Sequence, residues 1–174
     1  MDTLFGLPAH PLLVLIPIVL LPLAAIGVVV MLIKPVWHRR YRWVVLAIGA
    51  AGAVGAALAA QAGETLGSRV NAVEGRQAAA RWRHHAQLGD TSRTVALLFL
   101  AVLVVFVVLP WWQERRTSQT GEGGLAPDRR LVVLTIAVSA LTVLAAIGTV
   151  VTIVQAGHTG SKSVWDAYVH DSGG

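Results

Sequence analysis

The chain has 174 residues, 55% of them hydrophobic and 13% charged, with a net charge of +5. That composition excludes an ordinary soluble domain. The absence of cysteine excludes disulfides, thiolate metal ligands, iron–sulfur ligation and a cysteine nucleophile.

Four uncharged apolar stretches follow one another, each near or above the ~20 residues a helix needs to cross a bilayer. The first runs from Leu12 to Ile33. No Lys or Arg precedes it, it is too long for the apolar core of a signal peptide, and Pro17 and Pro22 interrupt it, so it is expected to be a bent span and not a cleaved leader. The second, Trp43 to Gly63, is rich in small residues, among them Gly49, Gly52 and Gly55, and this spacing lets helix backbones approach closely. Between residues 68 and 87, alanines and Trp82 alternate with Arg and His, which predicts an amphipathic helix lying on the outer surface and running into the third span. That span covers Thr94 to Trp112, and the polar, glycine-containing segment Thr117 to Asp128 reads as a loop. The fourth span is Leu131 to Ala156, and the tail from Ser161 is expected to add a short interfacial helix anchored by Trp165 and Tyr168. The predicted fold class is all-α: one integral membrane four-helix bundle over residues 1–174, with spans at about 12–33, 43–63, 94–112 and 131–156.

The cations report the orientation. Lys34, Arg39, Arg40 and Arg42 follow the first span, and Arg115, Arg116, Arg129 and Arg130 flank the loop after the third. Both segments lie on one side, which the positive-inside rule makes cytoplasmic. The sequence therefore predicts a multi-pass membrane protein with both termini outside. The basic charge is accounted for by topology, and no nucleic-acid partner is expected. Trp37, Trp43, Trp111 and Trp112 fall where an aromatic belt belongs.

The chain also carries an internal repeat. Gln61-Ala62-Gly63-Glu64-Thr65 returns as Gln155-Ala156-Gly157-His158-Thr159, and His10 precedes Pro35 by the same twenty-five residues that separate His85 from Pro110. Two tandem, related hairpins are predicted, over 10–65 and 85–160. The duplication maps His10 onto His85 and Glu64 onto His158.

Twenty-five residues of helix span roughly 37 Å against a hydrocarbon core of about 30 Å, so these four groups belong at the outer interface. A four-helix bundle brings its helix ends round one axis, and His10, Glu64, His85 and His158 are expected to converge there. Imidazole and carboxylate suit iron, copper or zinc, and His10 with His85 equally suits the two axial positions of a haem b. His84 is the alternative to His85, which the repeat spacing favours. His38 reads as a headgroup-facing residue in a cationic loop. Glu74 and Asp90 are expected to balance Arg76 and Arg93. No catalytic triad, phosphate-binding loop or dinucleotide fingerprint marks an enzyme, and no ionisable residue lies deep in a span.

The opening Gly6-Leu7-Pro8-Ala9-His10-Pro11-Leu12-Leu13-Val14, followed by Pro17, resembles a widespread bacterial family of four-span membrane proteins described as a domain of unknown function. The closing Gly157-His158-Thr159-Gly160-Ser161-Lys162, then Val164-Trp165, is similar to that family's C-terminal signature. The histidine before the third span, His85 or His84, also corresponds. Some relatives are joined to Rieske iron–sulfur domains. The resemblance thus implies a bacterial cytoplasmic (inner) membrane and membrane-linked electron transfer, with a separate redox partner because this chain has no such domain.

The leading expectation is a membrane protein with a haem or metal centre at its outer face, acting in electron transfer. Two rivals are a non-catalytic membrane subunit or scaffold that binds another subunit through the glycine seam of the second span, and a transporter, for which duplication speaks and the missing polar midplane site does not.

Overall fold

The computed structural model describes the backbone of residues 3–4, 7–73, 75–120 and 129–171, and side chains over 10–64, 83–116 and 129–161. Four helices dominate: α1 (Ala9–Ile33), α2 (Pro35–Val73), α3 (Gly75–Thr120) and α4 (Arg129–Asp171). All four contain stretches long and apolar enough to cross a membrane. In hydrocarbon a backbone must satisfy its own hydrogen bonds, which a helix does and an open strand does not. A short antiparallel pair, β1 (Thr3–Leu4) with β2 (Leu7–Pro8), precedes α1, Thr3 facing Pro8 and Leu4 facing Leu7. The sequence reading did not anticipate it.

The helices outrun the predicted spans. A cationic loop was expected between the first two, yet Lys34 alone separates α1 from α2. The Lys34 N–H donates to the Val30 carbonyl at 3.0 Å, and the Trp37 N–H donates to the Lys34 carbonyl at 2.9 Å. Pro35 opens α2, a position where its missing N–H costs nothing. Pro110, its counterpart by spacing, lies inside α3. The predicted surface helix over 68–87 is not a separate element: α2 continues to Val73 and α3 begins at Gly75. The tail is likewise a continuation of α4, to Asp171. Of the predicted loop, residues 117–120 complete α3 and 121–128 lie outside the described residues.

Each helix packs on its neighbours in chain order, and α1 packs on α4, so the bundle closes as a ring. Glycine sets how closely α1 and α2 run. A Cβ built on Gly27 would meet Val45, one on Gly52 would meet Leu21, and one on Gly55 would meet Ile16. Those pairs run in opposite senses along the two helices, so the hairpin is antiparallel. Gly49 makes room for Leu103 of α3 in the same way. The core is sealed by Leu21, Val28, Phe99, Leu103 and Val107, all fully buried. Thr142 and Thr149 share that core because each hydroxyl donates back along α4, to Val138 at 2.7 Å and Ala145 at 2.8 Å. Leu15, Ile26, Leu144 and Val154 face outward, more than half exposed, as lipid-facing side chains must be.

At the end carrying Pro35 and Pro110, Glu114 of α3 accepts hydrogen bonds from Arg39 Nε at 3.0 Å and Arg42 Nη1 at 3.1 Å. The two contacts differ in weight, because the Arg42 side chain is 11% exposed and that of Arg39 is 74% exposed. Glu114→Ala strands a largely buried guanidinium and is expected to lower stability by about 1–2 kcal/mol. Arg39→Ala should stay within about 0.5 kcal/mol of the parent. Unfolding of both variants in mixed micelles by SDS checks this, and equal losses would contradict the assignment.

Candidate site at the histidine end of the bundle

His10 stands one residue into α1. The antiparallel register carries it to the stretch of α2 around Ala59 and Gly63, where side chains are too small to keep it off the backbone. A Cβ on Gly63 would sit 3.2 Å from the ring's Cε1 and Nδ1. The Nδ1 atom lies 2.8 Å from the Ala59 carbonyl oxygen. A carbonyl can only accept, so Nδ1 carries the proton, and in the neutral ring Nε2 keeps the lone pair. Histidines that bind metals are commonly oriented by such an Nδ1–H to carbonyl bond.

His85 of α3 is half-buried against Gly160 of α4, where an added Cβ would approach its Cε1 to 2.9 Å. The two imidazoles meet across the bundle, on helices that are not neighbours in the ring, with centroids 6.1 Å apart and planes at 89°. Below them lies a cavity of about 450 Å³ to which all four helices contribute. It exists because Ala56, Ala59, Ala156 and Gly157 leave the axis unfilled. Its polar members are His10, His85, Arg93, Ser161 and the buried Ser92.

Of the four residues expected to converge, the structure brings two together. It is His85 that faces His10, while His84 is exposed. His158 is exposed on α4, for a reason of helical phase. The α4 residues lining the cavity are Ile153, Ala156, Gly157, Gly160 and Ser161, an i, i+3, i+4 stripe that position 158 does not share. Glu64 turns to Arg93 at 3.7 Å with its side chain 60% exposed. Among the described residues no three of His, Cys, Asp and Glu gather as a metal-holding group. The expected four-ligand cluster is therefore replaced by a pair of imidazoles.

A family model described as "Predicted membrane protein (DUF2231)" matches residues 6–173. The chain belongs to this family. DUF2231 membership agrees with the four apolar helices, and the chain is a membrane protein on both counts. No curated protein and no solved structure matches it.

Sequence reasoning missed two features of this DUF2231 chain. Arg93 was expected to be balanced by Asp90, and it is, at 3.2 Å, but it also lines the histidine cavity. A cation at the head of an apolar span is the signal that could have found it. His38 does not face the headgroups: it is half-buried in α2 with its ring 5.1 Å from that of Phe106. No loop precedes it, and a helix starting at Pro35 turns His38 toward α3. The glycine seam of α2, the motive for the scaffold reading, is spent inside the bundle on Leu21, Ile16 and Leu103.

Proposed function

We propose that His10 and His85 hold a transition metal, as a bare ion or as the iron of a haem, and that the protein carries electrons at one face of a membrane. The observation that carries this reading is the paired imidazoles over a common cavity. With their centres 6.1 Å apart, the two rings are close enough that both could donate a nitrogen to one ion, and imidazole is a donor that iron, copper and zinc accept. The tie from His10 Nδ1 to Ala59 leaves the other nitrogen as the donor such an ion takes. Iron or copper supplies one-electron exchange when bound, and zinc does not. The protein's own part is to fix two rings from non-adjacent helices and to surround them with apolar small residues. The distribution of cations supports a cytoplasmic membrane with this face outward, next to a separate redox partner.

The test is elemental analysis and an absorption spectrum of the detergent-purified protein, expressed with added metals and haem precursor. About one iron or copper per chain is the expected result, the spectrum separating haem from bare metal. Zinc at that ratio would keep the site and remove electron transfer. Metal-free protein would overturn the reading.

A further inference from the structure

The bundle end opposite the histidines has a different chemistry. Eight of the fourteen Lys and Arg residues fall in the sequence segments 34–42 and 114–130, against three of the nine carboxylates. The rest of the sequence holds six of each, so the segments 34–42 and 114–130 together carry the whole net charge of +5. These cations are held in a repeated way. Arg115 lies 4.3 Å over the ring of Trp111, Arg116 3.6 Å over Trp112, Lys34 5.2 Å over Trp37 and Arg40 5.8 Å over Tyr41. Trp43 of α2 meets Trp111 of α3 edge to face at 5.8 Å, joining the two helices' arrays into one surface.

We propose that this surface binds anionic phospholipid headgroups. Trp and Tyr settle at the depth of the headgroups, so rings that carry cations on their faces hold them at the level of the lipid phosphates. A guanidinium stacked on a ring keeps its in-plane N–H donors for a phosphate oxygen. Glu114 occupies Arg39 and Arg42. Among the described residues no carboxylate pairs with Lys34, Arg40 or Arg115. A zwitterionic headgroup offers the same phosphate but brings its own cation, which a surface of net positive charge repels. The surface therefore selects net anionic lipid.

Native mass spectrometry of the full chain in detergent, with equal phosphatidylglycerol and phosphatidylcholine of matched acyl chains, tests the proposal. Each surface cation contributes about fivefold to binding an anionic membrane. The parent is expected to retain phosphatidylglycerol at least tenfold over phosphatidylcholine. The triple variant Lys34→Gln, Arg40→Gln, Arg115→Gln should fall to within about twofold of parity. Arg40→Lys with Arg115→Lys keeps the charge and should keep the preference, as should Arg83→Gln at the opposite end; helical circular dichroism confirms that each variant is folded. Parity in the parent, an undiminished preference in the folded triple variant, or an equal loss in Arg83→Gln would each overturn it.

Discussion

Replacing Gly52 with leucine is expected to unfold the bundle, not to release a partner. A Cβ at Gly52 would lie 2.7 Å from Leu21 Cγ, 2.9 Å from its Cδ2 and 3.2 Å from its backbone nitrogen. Leu21 is fully buried, so its side chain has no open space to move into, and the backbone contact cannot rotate away. Overpacking a tight core costs about 1–3 kcal/mol for small additions. A leucine adds three carbons beyond the first, which places Gly52→Leu at about 3 kcal/mol or more. Gly89→Ala is the control, because a Cβ there meets nothing within 4 Å and alanine favours helix by up to about 1 kcal/mol. SDS-induced unfolding of the two proteins should show a large loss for Gly52→Leu and none for Gly89→Ala. Wild-type stability in Gly52→Leu together with loss of a co-purifying subunit would restore the scaffold reading.

The second large effect is expected at the imidazole pair. His10→Ala and His85→Ala should each lower metal affinity by at least about 100-fold, more than the 10–100-fold that removing a supporting residue costs. His158→Ala and Glu64→Gln should leave the metal-to-chain ratio unchanged, since His158 is exposed and Glu64 is engaged with Arg93. A four-ligand site would lose metal in all four variants. Metal analysis of the series separates the two geometries. A result in which His158→Ala fails as completely as His85→Ala would return that residue to the site.

Much of this architecture is legible in the sequence, because span length and apolar runs answer to one physical constraint, the thickness of the hydrocarbon. The four helices follow from it. Their true ends do not, since nothing in the charges of residues 34–42 stops a helix, and α2 and α3 run on into the stretch that composition suggested was a separate surface helix. The pairing of His10 with His85 is legible through their common spacing to Pro35 and Pro110. Glu64 and His158 show where spacing alone misleads. Both close an apolar segment, but whether such a residue points at the axis depends on helical phase, and a hundred degrees of rotation per residue separates Gly157 from His158. The burial of His38 against Phe106 and the bridging of Arg39 and Arg42 by Glu114 join residues more than sixty positions apart, and no local pattern encodes them.

Whether His10 and His85 share one ion is decided by counting the nitrogens at the metal. Cu²⁺ serves as the probe, added to purified protein labelled with ¹⁵N at histidine, with pulsed electron paramagnetic resonance reading the hyperfine couplings. Two imidazole nitrogens are expected in the parent and one in His85→Ala. Three or more nitrogens in the parent, or none, would contradict the shared site.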